Sequence, residues 1–147
     1  MIRIVLDTNV LIDASVDPYR YANRIIDLVI SGQIEAYANS ETLRENKFLA
    51  HKKIADQSYL RKLEYYFDQV RTVETQITNK VLEDPEDDKI LASALIARAD
   101  YLITADNHLL KLEKVRRVRI IRPNEFWSRY EEGTDQGWIN WLKSFIK

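Results

Sequence analysis

Four acidic residues occupy positions from which they could build a cation site. Asp7 interrupts an apolar run just where a strand should end, and Asp106 follows a second such run. Glu45 falls about one turn into a helix, and Asp88 falls in the first turn of another. Carboxylates that approach within a few ångströms repel each other, so that one takes up a proton unless a cation lies between them. Convergence of these four acids therefore predicts a bound cation.

The surrounding residue types favour Mg²⁺ or Mn²⁺ over zinc. The chain has no cysteine, and its two histidines, His51 and His108, lack the spacing of zinc ligands. A site made only of oxygen ligands suits Mg²⁺ or Mn²⁺. One or two such ions can activate a water molecule and stabilise the leaving oxygen in phosphodiester cleavage. The acids predict a metal-dependent nuclease in which they are ligands and not nucleophiles.

Each acid taken alone also has a purely structural explanation. Asp7 could be a turn residue, and Asp106 could cap the short helix that follows it. Asp88 and its acidic neighbours could complement the positive end of a helix dipole. Glu45 could be a solvated helix position. These explanations do not account for the placement of all four acids at one edge of a sheet.

Strands and helices alternate along the chain. The pattern predicts strands at residues 2–6, 34–38, 70–73, 101–104 and 118–121. It predicts helices at residues 21–30, 40–50, 56–69 and 107–112, and two more that begin at Pro85 and Pro123. The second helix is predicted to have Ser40 as its N-cap, to end at about Ala50, and to have Leu43, Phe48 and Leu49 as its apolar positions. Alternation predicts a three-layer α/β/α fold with a central parallel sheet of about five strands. Ligands of such sheets collect at the carboxyl ends of the strands.

Size and composition are those of an ordinary globular domain. The chain has 147 residues, 46% of them hydrophobic, and a formal net charge of −1, so overall charge indicates no nucleic-acid partner. No stretch approaches the roughly 20 apolar residues of a membrane span. The first strand is too short for a signal peptide. The absence of cysteine suits a reducing cytoplasm, where we expect the protein to act.

Several segments resemble the motifs of the PIN domain family of nucleases (PilT N-terminus). Residues 5–12, VLDTNVLI, resemble the opening motif, and residues 40–45, SETLRE, resemble the second. Residues 84–91 and 99–106 resemble the third and fourth motifs. Pro123 and Phe126 resemble the Pro-x-x-Phe that follows the last strand. The resemblance covers residues 1–126, which we expect to form the nuclease domain.

The resemblance implies Mg²⁺- or Mn²⁺-dependent cleavage of RNA. The residues that it assigns to the metal are Asp7, Glu45, Asp88 and Asp106. It implies that Asn9 orients an acidic ligand and that Thr104 sits beside the metal. Asp87 is the alternative third ligand, since adjacent residues differ by about 100° around a helix. Small prokaryotic members are commonly toxins held by an antitoxin protein and often dimeric, so an antitoxin and a homodimer are the expected partners besides RNA.

A basic cluster near Glu45 is a candidate for substrate binding. Arg44, Lys47 and Lys52 follow one another on and after the same predicted helix. They could contact RNA phosphates, and tyrosines at 59, 65 and 66 could stack on bases. The alternative is a solvated helix face with core tyrosines.

Residues 127–147 lie beyond the resemblance and form a helical extension. Trp138, Ile139, Trp141, Leu142 and Phe145 make an apolar stripe at helical spacing. The stripe could pack on the body of the domain. It could instead serve as an interface, because Trp and Phe are favoured anchors there.

Three functions fit the sequence. The first is a metal-dependent endoribonuclease, plausibly the toxin of a toxin–antitoxin pair. The second is a catalytically silent PIN-like protein that binds nucleic acid or acts as a scaffold; the four acids argue against it. The third is a phosphotransfer enzyme with Asp7 as nucleophile. It calls for a second acid two residues on, where this chain has Asn9.

Overall fold

A six-stranded sheet forms the centre of the protein, which we describe from a computed structural model. The structure describes residues 1–16, 20–74, 85–133 and 141–145, with the backbone alone for residues 85–88. The strands are β1 (Arg3–Leu6), β2 (Glu35–Asn39), β3 (Arg71–Val73), β4 (Tyr101–Ile103), β5 (Lys114–Val115) and β6 (Val118–Ile121). The helices are α1 (Thr8–Asp13), α2 (Tyr21–Ile30), α3 (Ser40–Lys53), α4 (Gln57–Gln69), α5 (Pro85–Ile96), α6 (Asn107–Leu110) and α7 (Pro123–Gly133).

The strands lie in the order β3-β2-β1-β4-β6-β5. Every neighbouring pair is parallel except the last, in which β5 runs antiparallel to β6. The predicted α/β fold with about five parallel strands is confirmed. The sequence pattern missed β5 because a strand of two residues shows no alternation. A tight turn joins β5 to β6, and in it Arg116 adopts a positive φ of 54°.

Strand β1 is buried on both faces, as its continuous apolar run predicts. Ile4 and Leu6 belong to one hydrophobic cluster, which also contains the buried residues of α1 to α4 and α7. Val5 belongs to a second cluster, formed with α5, β4, β6 and the buried Leu109 of α6. The sheet therefore separates two helical layers, and Asp7 follows the strand that both layers cover.

Helix α1 follows β1 directly, where the sequence suggested a polar turn. Asp7 is its N-cap residue, and Val10 and Leu11 point into the core. The prediction was wrong because residues 8–13 make fewer than two helical turns, too few to reveal a periodic pattern. Asp7 is therefore held at a junction between a strand and a helix.

Helix α3 differs from its predicted form in three respects. Its N-cap is Asn39 and not Ser40, since the Asn39 side chain accepts a hydrogen bond of 2.9 Å from the Glu41 N–H. It continues three residues past Ala50, to Lys53. Phe48, expected to be inward, is 67% exposed. Thr42 and Asn46 share the buried face with Leu43 and Ala50, so polar as well as apolar residues form the inner side of this helix.

Strand β6 lies inside the sheet although its exposed Arg119 alternates with the buried Val118 and Ile120. Arg119 is exposed, yet β6 pairs with β4 on one side and with β5 on the other. The charge pattern reflects a short hairpin at the margin of the sheet. None of the helices in the described ranges is both long and apolar enough to cross a membrane.

An arginine surrounded by aromatic rings joins the C-terminal segment to helix α2. The Arg24 guanidinium lies 5.2 Å from the ring centre of Tyr21, 5.5 Å from that of Trp127 and 4.8 Å from that of Trp141. Trp141 is buried and also contacts Phe145, which is 58% exposed. Trp138 and Ile139 lie outside the described residues. Cation–π contacts of this kind are stronger where water is excluded.

An ion pair between a partly buried lysine and a buried aspartate joins α2 to α4. The Lys62 Nζ lies 2.5 Å from the Asp27 Oδ1 and also donates to the side chain of Asn23. Burial raises the pKa of the Asp27 carboxyl, whereas Lys62 and the indole of Trp141 oppose that rise. Folding raises this pKa above 3.8, the ordinary pKa of an aspartate. The stability contributed by Asp27 therefore decreases as the pH rises from below 3.8 through the pKa of the folded state.

We expect Lys62→Met to destabilise the protein by about 2–4 kcal/mol at pH 7, because it leaves a buried carboxylate without its counter-charge. The loss should shrink toward pH 4, where Asp27 takes up a proton. Urea unfolding at several pH values measures both effects. Arg61→Met, an exposed change on the same helix, is the matched control. An equal loss at pH 4 and pH 7 would contradict this account.

Candidate active site at the carboxyl ends of the strands

Three of the four predicted acids line one pocket. Asp7, Glu45 and Asp106 surround a space of about 260 Å³ at the carboxyl edge of the sheet. The other residues that line it are Thr8, Asn9, Ile12, Thr42, Leu49, Lys53 and Ile90. Two adjacent parallel strands, β1 and β4, lead to Asp7 and Asp106, and β2 leads into the helix that carries Glu45. The topology thus brings together residues that are far apart in sequence.

Asp7 is the most buried of these acids, with 5% of its surface exposed. Its backbone N–H donates to the Ile103 carbonyl over 3.0 Å, which continues the pairing of β1 with β4. Burial raises the pKa of the Asp7 carboxyl, and the negative charge of Asp106 raises it further. The Thr104 hydroxyl and backbone N–H groups at the start of α1 oppose that rise. A nearby cation would favour the charged form of this carboxylate.

Thr104 joins the two strand-end acids. It is fully buried, and its hydroxyl donates to the Asp7 Oδ2 over 2.7 Å. The same hydroxyl oxygen accepts a 3.0 Å hydrogen bond from the Asp106 backbone N–H. The Asp106 carboxylate, partly exposed, caps α6 by accepting from the His108 N–H over 2.8 Å. Asp106 is therefore an N-cap residue and also lines the pocket, so the structural and functional explanations of this acid are compatible.

Glu45 is exposed on α3, and its neighbour Asn46 fixes that helix beside α1. The Thr8 hydroxyl donates to the buried Asn46 Oδ1 over 2.5 Å. Sequence reasoning missed both Thr8 and Asn46. A polar residue on the inward face of a helix, between Leu43 and Ala50, is the signal that would have identified Asn46, since buried polar groups need partners.

The first turn of α5 begins near the same pocket. Ile90 lines it, and the Lys89 Nζ lies 3.5 Å from the Glu41 Oε1 at the start of α3. Asp87 and Asp88 belong to this turn, but their side chains lie outside the described residues. The choice between them as the third ligand stays a prediction.

Within the described part of the chain, no three acidic or histidine side chains are grouped closely enough to hold a metal ion. Asp7, Glu45 and Asp106 alone thus do not form a complete set of metal ligands. Like charges repel in the absence of a cation, and the fourth predicted ligand is among the side chains that are not described. The donor set still fits Mg²⁺ or Mn²⁺, since it offers only oxygen atoms around a desolvated carboxylate.

The basic residues predicted to bind substrate are exposed near this pocket but do not line it. Arg44, Lys47 and Lys52 lie on α3, and the pocket is lined instead by Lys53, at the end of the same helix. The stacking role suggested for the tyrosines fails for Tyr59 and Tyr66, which are core residues with pKa values raised by burial. Tyr65 is 60% exposed and lines none of the pockets described here.

Comparison with known proteins identifies relatives of this chain. A sequence model of the PIN domain matches residues 3–108. The chain is 27% identical over 145 residues to the uncharacterized protein MJ1680 of Methanocaldococcus jannaschii, covering 89% of this chain and 93% of that protein. It is also similar in structure to a chain of VapBC2 from Rickettsia felis, crystallised with a DNA fragment from their promoter. The TM-score is 0.55 at 14% identity, over 81% of this chain and 97% of that chain, which shows a shared fold.

We expect Asp7→Asn to raise the melting temperature of the protein in EDTA. The amide keeps an acceptor for Thr104 and avoids the desolvation of a charge. Since folding raises the pKa of Asp7, the gain should be largest at neutral pH and should vanish near pH 3. Each kcal/mol gained corresponds to about 2–4 °C for a chain of this size. Calorimetry measures the melting temperature, and Asp13→Asn, at an exposed position of α1, is the control. A lower melting temperature for Asp7→Asn would contradict the account.

Thr104→Val and Thr104→Ser separate the hydrogen bonds of Thr104 from its packing. Valine removes the donor to Asp7 and leaves the Asp106 N–H without its acceptor, at a cost of about 1–3 kcal/mol. That cost should increase with pH, because the hydroxyl stabilises the charged form of Asp7. Serine loses one methyl group, about 0.8 kcal/mol, at every pH. Denaturant unfolding at pH 4 and pH 8 tests this; identical pH profiles for the two variants would exclude the proposed hydrogen-bond role.

Proposed function

Because this chain belongs to the PIN domain family, whose members are generally nucleases, we propose that it is a metal-dependent endoribonuclease. One observation carries the proposal. Asp7, Glu45 and Asp106 line a single pocket at the carboxyl edge of a parallel sheet, and Asp7 is buried there with a raised pKa. Thr104 only partly offsets the cost of burying this charge, so the retention of Asp7 supports a role beyond stability.

The proposed reaction is hydrolysis of a phosphodiester bond in RNA. Asp7, Glu45, Asp106 and Asp88 are the proposed ligands of Mg²⁺ or Mn²⁺, with Asp87 as the alternative to Asp88. When bound, a divalent ion supplies Lewis-acid stabilisation of the charge that develops at the scissile phosphate and promotes ionisation of the attacking water. Thr104 keeps the Asp7 carboxylate oriented through its 2.7 Å hydrogen bond. Asn9, exposed at the pocket rim, is a supporting residue.

Cations on α3 are the proposed contacts for the RNA backbone. Arg44, Lys47 and Lys52 are all exposed on the helix that carries Glu45, and Lys53 enters the pocket itself. Phosphate contacts of this kind position a strand without reading its sequence. Binding should therefore weaken as salt concentration rises.

We further propose that the protein is the toxin of a toxin–antitoxin pair and acts in the cytoplasm. The structural likeness to a chain of VapBC2 supports an antitoxin protein as partner. A homodimer is the proposed oligomeric form. Co-purification of this protein with the product of a neighbouring reading frame, and relief of its RNA cleavage by that product, would support the pairing.

The cleavage test compares matched acid-to-amide variants on a panel of single-stranded RNAs with Mg²⁺, Mn²⁺ or EDTA. Asp7→Asn and Asp106→Asn should each reduce cleavage by more than about 100-fold. Even mutation of a residue that only hydrogen-bonds to a metal ligand typically reduces metal affinity or activity by about 10- to 100-fold. Asp88→Asn should lose far more activity than Asp87→Asn, and Asp68→Asn on α4 should leave activity unchanged. Cleavage that persists in EDTA, or in Asp7→Asn, would contradict the proposal.

A catalytically silent PIN-like binding protein is the second candidate, because the described acids do not form a closed metal-binding group. The melting temperature with Mn²⁺ discriminates the two. A metal site predicts that Mn²⁺ stabilises the wild type, by mass action, but not Asp7→Asn. A silent protein predicts no stabilisation of either and no cleavage at any metal concentration.

A further inference from the structure

A second pocket lies beside the acidic one, on the other side of α1. It has a volume of about 350 Å³, and the residues that line it include Asp13, Arg20, Tyr21, Ala105, Arg122 and Asn124. They come from α1, the start of α2, the loop after β4 and the start of α7. None belongs to the set of proposed metal ligands.

The two pockets share a wall and a loop. Asn9 and Ile12 of α1 line the acidic pocket, whereas Val10 and Asp13 of the same helix line the second one. Ala105 lies between Thr104 and Asp106 in sequence and contributes to the second pocket. A polymer bound at the acidic pocket could therefore place its next unit in this second pocket.

Two arginines in the second pocket offer groups that can bind phosphate. Arg20 and Arg122 are both exposed, and guanidinium groups match the geometry of phosphate oxygens. The Arg122 Nη2 donates to the Asn107 Oδ1 over 3.0 Å, which holds this guanidinium beside the start of α6. Arg122 therefore contacts the residue that follows the N-cap Asp106.

Tyr21 supplies an aromatic surface in the same pocket. Tyr21 is 43% exposed, although it begins an otherwise well-buried helix. The Arg24 guanidinium packs 5.2 Å from the ring centre, and Arg24 is itself held against Trp127 and Trp141. The ring is thus supported before any ligand arrives, which lowers the entropic cost of stacking on it.

Polar groups that can contact a base edge lie beside the ring. Asp13 carries an exposed carboxylate that accepts hydrogen bonds, and Asn124 carries an exposed amide that both donates and accepts. Arginines that can bind phosphate, a half-exposed ring and hydrogen-bonding groups together complement the phosphate and the base of an unpaired nucleotide. Bases of this kind are recognised by stacking and by their exposed edges.

We propose that this pocket binds the nucleotide next to the scissile phosphodiester of a single-stranded RNA, with its base stacked on Tyr21 and its phosphate on Arg122. The inference rests on the proposed function, since it takes RNA as the substrate. It adds a subsite that requires an unpaired base, and so it predicts that single strands bind more tightly than duplexes.

The test measures binding in EDTA, where no cleavage occurs, by fluorescence anisotropy of a labelled single-stranded RNA. Tyr21→Leu keeps the bulk but removes the aromatic ring, and it should weaken binding by about 5- to 100-fold, the range for loss of one stacked base. Tyr21→Phe should bind like the wild type. Tyr65→Leu, at the exposed tyrosine of α4, is the matched control and should have no effect.

Arg122→Ala tests the phosphate contact. It should weaken binding and reduce the slope of log affinity against log salt by about one, as expected for one lost phosphate contact. Wild-type binding by Tyr21→Leu, or equal affinity of the wild type for single strands and blunt duplexes of the same length, would overturn the proposal. Melting curves of every variant establish that the comparison is made between folded proteins.

The outcome is separable from that of the cleavage test. If the RNA panel is cleaved with metal but Tyr21→Leu binds like the wild type, the nuclease stands and the subsite is rejected. If binding depends on Tyr21 and Arg122 while no RNA is cleaved, the subsite stands and the catalytic proposal is rejected.

Discussion

The burial of one carboxylate is the constraint on which the candidate site depends. Asp7 lies at the end of a strand that helices cover on both faces, so its charge loses most of its hydration there. Thr104 compensates in part, because the pairing of β1 with β4 brings its hydroxyl to the carboxylate. Sliding one strand against the other would break that hydrogen bond. The sheet register therefore fixes the most buried group of the site, while Glu45 and Asp106 remain in contact with water.

Features of the sequence that depend on local pattern were predictable. The apolar run before Asp7 indicated a strand buried on both faces, and that burial is observed. Helix α2 has the predicted bounds, because its apolar spacing is strong and Gly32, with a φ of +79°, ends it. Asp7, Glu45 and Asp106 could be assigned to one edge because parallel strands align their carboxyl ends. Thr104 was indicated by the resemblance to the PIN domain family.

Features that depend on tertiary contacts were not predictable. Phe48 was expected on the inner side of α3 and is exposed. Asn46 is buried there, because it finds the Thr8 hydroxyl as a partner only once α1 packs beside it. Asn39 caps α3 although Ser40 is an equally good cap by type. The second pocket combines α1, α2 and α7. The Tyr21 segment carries no motif, and Arg122 directly precedes the Pro-x-x-Phe motif without being part of it. The family model ends at residue 108, so Arg122 lies beyond it.

The two margins of the sheet, as far as the described ranges extend, are both very short. One margin is the three-residue β3, whose Arg71 and Thr72 are exposed, and the other is the two-residue β5. Few backbone N–H and C=O groups are thus offered to a strand of another molecule, which limits aggregation by edge pairing. Another molecule therefore has little backbone at these margins on which to add a strand. Self-association is left to the helical layers, where Phe48, Leu142 and Phe145 expose apolar surface.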